Sequence, residues 1–175
     1  MAYRDTKLDS TNEVLTINCQ DIFLREYRFE DLDELCTITQ QAEVLKFLLW
    51  WNATMEQRID WMENYEIVDN NRFLKAVTED RAIGETYLRL GIISKETGKF
   101  IGWCSTGIQD KLPPPNREIF YGISEHYANK GYTTQAAQGL IKYLFENTDL
   151  EELNAIADIR NIPSNKVIQK SGFEF

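Results

Sequence analysis

Short stretches rich in β-branched and aromatic residues punctuate the chain and predict strands. They fall at Ile22-Phe23-Leu24-Arg25, Tyr87–Ile93, Phe100–Cys104, Glu118–Ile123 and Leu153–Ala157, with Val14-Leu15-Thr16-Ile17 as a shorter edge strand. Lys95-Glu96-Thr97-Gly98-Lys99 joins two of them as a hairpin turn. Elsewhere the period lengthens to that of a helix. From Asp31, Leu32, Leu35, Cys36 and Thr39 share one face. Thr54 caps a second helix while Gln57 reaches back to it, and Met55, Ile59 and Met62 form its apolar stripe. Beyond Gly131, the pairs Ala136/Ala137, Leu140/Ile141 and Leu144/Phe145 recur at four-residue steps, the signature of a packed helical face. A last helix opens at Asn161-Ile162-Pro163-Ser164, where proline loses nothing in a first turn, and stops at Gly172.

This order, β-α-α, hairpin, β-α-β-α, predicts a mixed α/β (α+β) domain with antiparallel strands first and a parallel β-α-β unit later. At 175 residues one core suffices. Residues 1–20 read as a polar extension or short strand, and 21–175 as the domain. Pro113-Pro114-Pro115 interrupts the sheet pattern.

Charge and composition narrow the classes. The net charge of −9 supplies no basic footprint for nucleic acid and repels anionic lipid, so neither nucleic acid nor membrane is an expected partner. Cys19, Cys36 and Cys104 stand far apart and His126 is the one histidine, so no metal site is expected. The first residues lack the apolar run of a signal peptide, and the expected location is cytoplasmic.

Three segments could carry chemistry. Ala128-Asn129-Lys130-Gly131-Tyr132-Thr133 leads into a helix whose N-terminal N–H groups suit an anion, although an ordinary strand-to-helix connection reads the same way. Glu118 enters an apolar strand, where a carboxylate is either buried as a general base or turned to solvent. Asn161 and Ser164 suit a helix cap.

In order and spacing, Glu118-Ile119-Phe120-Tyr121-Gly122-Ile123, Lys130-Gly131-Tyr132-Thr133-Thr134-Gln135-Ala136, Asn161-Ile162-Pro163-Ser164 and Lys170-Ser171-Gly172-Phe173 resemble the Gcn5-related N-acetyltransferase (GNAT) superfamily. The branch most resembled is the RimJ/RimL-like ribosomal-protein N-terminal acetyltransferases; Leu24-Arg25 and Glu30-Asp31-Leu32 fit it too. The resemblance implies an acetyl-CoA-binding fold in which strands 118–123 and 152–158 splay apart. Backbone groups of Tyr121, Gly122 and Ile123 would bond the pantetheine arm, amides from Lys130 to Thr133 the pyrophosphate, and Asn161 the pantetheine. It implies direct attack of a primary amine on the thioester, with Glu118 as base and Ser164 as the proton donor to the thiolate, because the superfamily's usual tyrosine position is Ile168 here. A protein or peptide N-terminal α-amine, with its pKa near ~8, is the expected acceptor.

The loop departs from the branch at Ala128, Asn129 and Thr133, and the branch's final strand would lie beyond Phe175, so an unpaired sheet edge is expected. Phe47, Trp50, Trp51 and Trp61 either line the acceptor pocket or belong to the core. Two rival readings remain. One is a small-molecule amine acetyltransferase acting on a polyamine, amino acid or aminoglycoside; the other is a non-catalytic CoA-binding or dimerisation module, for which a homodimer is the partner.

Overall fold

The computed structural model describes residues 2–5 and 14–174, with side chains described from Val14 onward. Strands β1 (Ala2–Asp5), β2 (Val14–Asn18), β3 (Ile22–Glu26), β4 (Leu88–Ser94), β5 (Phe100–Ile108), β6 (Arg117–Ile123) and β7 (Asn154–Ala155) form one sheet in that spatial order. Every neighbouring pair is antiparallel except β6–β7, which is parallel. The segment expected as an edge strand, β2, is instead second in the sheet because β1 pairs outside it.

The helices are α1 (Leu32–Thr39), α2 (Ala42–Leu45), α3 (Met55–Trp61), α4 (Ile67–Glu79), α5 (Tyr132–Asn147) and α6 (Ile162–Lys170). Adjacent strand residues divide between two clusters: Ile92 from Ile93, Cys104 from Trp103, Ile119 from Phe120. Side chains alternate across a strand, so the clusters lie on opposite faces of the sheet. The larger gathers Ala136, Leu140 and Leu144 of α5 against Ile17, Leu24 and Leu90. The smaller gathers Leu32, Leu35 and Ile38 of α1 with Met62 around Trp103. Arg25 of β3 grips Asp31 with both guanidinium arms, at 2.7 and 2.8 Å, and fixes the start of α1.

One expected element is corrected and one helix is added. The α3 capping box is present as expected, but Met55 and Ile59 face solvent and the buried positions are Arg58 and Met62. Helix α4 has no counterpart in the hydrophobic reading, because its buried face mixes Asn70 with Phe73 and Val77. Asn70 makes a two-way bond to the backbone of Arg89, at 2.7 and 2.9 Å, which satisfies its amide inside the core. Among the described residues no helix is long and apolar enough to cross a membrane.

Candidate active site

β6 is the axis of the site. Its pairing to β7 lasts for two residues, Glu118↔Asn154 and Ile119↔Ala155, and then the strands part. Strand β7 is therefore shorter than the expected 153–157, since Ile156 and Ala157 diverge into the wall of the opening. That opening is a cleft of about 2050 Å³, and both Glu118–Ile123 and Ala155–Ala157 line it.

Backbone alternation decides which β6 groups face the cleft. The Ser124 amide donates to the Ile101 carbonyl of β5 at 2.8 Å, so the amide and carbonyl of Gly122 also turn toward β5. Those of Tyr121 and Ile123 turn to the open edge. Gly122, expected as a backbone contact, itself lines the cleft while its peptide groups face β5. A Cβ there would lie 2.3 Å from the Trp103 ring.

The loop after β6 carries Asn129 at φ 61° and Gly131 at φ 80°, both left-handed, and Gly131 is the N-cap of α5. No side chain caps α5 and its first turn holds no acidic residue, so its leading N–H groups are available to an anion. Tyr132, Thr133 and Gly131 line the cleft. Lys130 does not: its ammonium sits 5.5 Å from the centre of the Tyr127 ring, outside the cleft wall.

At α6, Asn161 caps as expected, its Oδ1 accepting from the Ser164 amide at 3.2 Å, and both residues line the cleft. Ser164 has a partner that the sequence did not reveal. The Tyr121 hydroxyl lies 3.1 Å from Ser164 Oγ and 3.2 Å from its carbonyl. Burial above all pushes the Tyr121 phenol up to about 12, against the opposing hydrogen bond from Ser164, so it keeps its proton at neutral pH. Tyr121 is three residues from Glu118, and alternation puts the two side chains on opposite sides of the same strand. Only the residue type could have signalled this role, since Tyr121 reads equally as core.

Glu118 is half-buried in the cleft wall, and its Oε1 accepts from Gln109 Nε2 at 3.2 Å. Burial raises its carboxyl above the ordinary range, the hydrogen bond working the other way. On the same face, Phe120 approaches Trp51, with ring centres 6.3 Å apart.

The aromatic residues near α3 line the cleft, but they are not equivalent. Trp51 stacks on buried Trp103 at 4.4 Å, and Arg58 lies over Trp51 at 5.3 Å and over Trp61 at 5.2 Å. This Trp–Trp–Arg–Trp series ties α3 to the sheet. Trp50 stays 73% exposed beside it.

Comparison with known proteins bears on the family and the fold. The family described as "Acetyltransferase (GNAT) domain" matches residues 21–174. An uncharacterized N-acetyltransferase of Bacillus licheniformis, p20, is 28% identical over 159 residues, covering 91% of this chain and 82% of the relative. A GNAT-family acetyltransferase from Bacillus anthracis superposes with a TM-score of 0.70 at 20% identity, over 90% of this chain and 82% of the other. A putative ribosomal-protein-serine acetyltransferase from Vibrio cholerae does so with a TM-score of 0.64 at 20% identity, over the same 90% and 82%.

Proposed function

The chain belongs to the GNAT family of acetyltransferases, and from that premise we propose that its acceptor is the α-amine of a protein or peptide. It is an N-acetyltransferase with acetyl-CoA as cosubstrate, and its neighbours include RimJ/RimL-like enzymes. The observation that carries the reading is the parting of β6 from β7 with Glu118 on one side of β6 and the Tyr121–Ser164 pair on the other.

The residues present fit the cosubstrate. The outward backbone groups of Tyr121 and Ile123 can pair with an extended amide arm, and the uncapped α5 amides behind Gly131 can take its phosphates. A threonine and a tyrosine, Thr133 and Tyr132, stand where those phosphates would lie.

An amine attacks only as the free base. Glu118, its pKa raised by burial, takes the proton from the incoming ammonium directly or through one water. An α-amine, with a pKa near ~8, demands less of that base than a lysine near ~10.4. The nitrogen lone pair adds to the thioester carbonyl, a β6 amide stabilises the oxyanion, and the C–S bond breaks. The departing thiolate receives a proton from the Tyr121 hydroxyl, which Ser164 orients, while the surplus proton on the acetylated nitrogen passes through water to restore the phenol, and Glu118 returns its proton to solvent.

Calorimetric titration with acetyl-CoA, followed by mass spectrometry of a peptide with a free N-terminus, tests this reading. Binding near one site per chain and a single acetyl group on the α-amine support it; acetylation confined to lysine side chains removes the α-amine assignment. Gly131→Asp weakens acetyl-CoA binding roughly tenfold or more by setting a carboxylate against the phosphates, and Gly131→Asn, which carries the same strain at φ 80° without the charge, weakens it less. An unchanged Kd in the aspartate variant moves the phosphate site elsewhere. Tyr121→Phe lowers kcat about tenfold or more with acetyl-CoA affinity kept, and Ser164→Ala costs less. The reverse order in single-turnover rates makes Ser164 the donor itself.

A further inference from the structure

Helix α6 carries two lysines on the cleft wall that it shares with the first turn of α5. Pro163, Lys166, Val167 and Lys170 all line the cleft, and steps of three, four and seven residues keep them on one helical face. We propose, resting on the acetyl-CoA reading, that Lys166 and Lys170 bind the phosphomonoester on the ribose 3′-oxygen of coenzyme A. The protein thereby selects CoA over its 3′-dephospho form.

These two cations are uncommitted. Among the described residues neither forms an ion pair, and both are exposed. Most other cations of the cleft wall are engaged. Lys46 pairs with Glu43, Arg89 with Asp69 and Arg160 with Asp158, while Arg58 is held between Trp51 and Trp61. Lys111 belongs to the β5–β6 connection beside Gln109, at the Glu118 end. Like charges four residues apart on a helix repel. Lys170 is compensated by its place in the last turn of α6, where the helix dipole is negative, but Lys166 stands mid-helix without that help. An anion between them turns the repulsion into attraction. The stripe is also fixed against α5, because the Lys170 carbonyl accepts from Gln138 Nε2 at 2.8 Å.

The chemistry of CoA calls for such a pair at this place. Its diphosphate has donors in the uncapped α5 amides behind Gly131. The 3′-phosphate hangs on the same ribose that carries the diphosphate, so it falls within one sugar ring of that first turn. It brings a further charge of about −1.5 to −2 at neutral pH. A chain of net charge −9 offers it no general attraction, so a local countercharge is required. The α6 side supplies one without an opposing carboxylate. Asp158, in the loop that enters α6, is gripped by Arg160 through two bonds of 2.6 and 2.9 Å. Glu125 lines the cleft unpaired, but it belongs to the turn whose amide donates to Gln41, between α1 and α2, at 2.8 Å.

The test is calorimetric titration of the full chain with CoA and with 3′-dephospho-CoA, in about 0.1 M salt. CoA binds about tenfold tighter, the scale of one charge-assisted contact at an exposed site. The double variant Lys166→Gln/Lys170→Gln brings CoA to within about twofold of 3′-dephospho-CoA and leaves the affinity for 3′-dephospho-CoA unchanged. That unchanged affinity also reports an intact cleft. Lys166→Arg/Lys170→Arg keeps the preference, because it keeps the charge. Equal affinities in the wild type, or a preference that survives the glutamine pair, overturn the proposal while CoA binding, and with it the acetyl-CoA reading, stands. Loss of 3′-dephospho-CoA binding in the glutamine pair overturns it too, since the lysines would then serve the part common to both molecules. Binding of neither compound to the wild type removes the acetyl-CoA reading and the proposal together.

Discussion

Glu118→Gln lowers kcat by roughly 10²–10⁴, the range typical of a lost general base, and leaves the Kd for acetyl-CoA within about twofold. The separation follows from geometry. The Glu118 side chain points along the face of Phe120, while the cosubstrate is expected to pair with backbone of Tyr121 and Ile123 and with the α5 amides. Glutamine keeps the bond to Gln109 after an amide rotation, so the wall is preserved while the proton acceptor is lost. The pH dependence carries a sign. Burial holds the Glu118 pKa above the ordinary carboxylate range, so the wild-type rate falls as pH drops through that raised value, and this limb disappears from the residual rate of the variant. Stability runs the other way. A carboxyl with a raised folded pKa favours the fold in its neutral form, and that contribution is lost as pH rises through the folded value. Glu118→Gln is therefore at least as stable as wild type at pH 8, with any gain vanishing in acid below the unfolded pKa. A variant turning over at the wild-type rate across pH 6–9 would remove Glu118 as base.

Much of the frame behind this prediction is legible from residue order. The strand stretches at 87–93, 100–104 and 118–123, the Thr54/Gln57 capping box and the glycine stop all express local chemistry, and local chemistry is what a sequence displays; the second strand runs on to Ile108. What stays hidden depends on long-range partners. Asn70 and Arg58 occupy buried positions because one ties into the backbone of Arg89 and the other is held between Trp51 and Trp61. A hydrophobic stripe therefore finds neither α4 nor the inner face of α3. The same limit applies at the site. Glu118 and Ser164 stand out by type and spacing, but the hydrogen bond joining Ser164 to Tyr121 spans 43 residues of sequence. At Gly122 the packing also stays hidden: its missing side chain makes room for Trp103, and its peptide groups face β5.

Gly102→Ala tests how tightly the cleft depends on that strand pair, and it is expected to cost about 3 kcal/mol, at the upper end for overpacked sites. Gly102 of β5 sits opposite Ile123 of β6. A Cβ built there falls 2.3 Å from the Gly122 carbonyl oxygen and 2.9 Å from the Ile123 Cα. Both obstacles are backbone, so no rotamer relieves the clash, unlike at Gly107, where the obstacle is the Tyr87 ring. Strand β6 must move away from β5 or the pairing must break beside Trp103. For a domain of this size the cost corresponds to a fall of about 6–12 °C in Tm. Function should suffer in proportion, because the displaced segment is the one that presents Tyr121 and Ile123 to the cleft. The Kd for acetyl-CoA therefore rises together with the loss of Tm, whereas Glu118→Gln leaves both nearly unchanged. Thermal melts and calorimetry on the two variants, side by side, distinguish damage to the β6 backbone from loss of a proton acceptor. A Gly102→Ala protein with wild-type Tm and wild-type affinity would mean that β6 has slack against β5, and the assignment of its open edge as a rigid docking strand would fall.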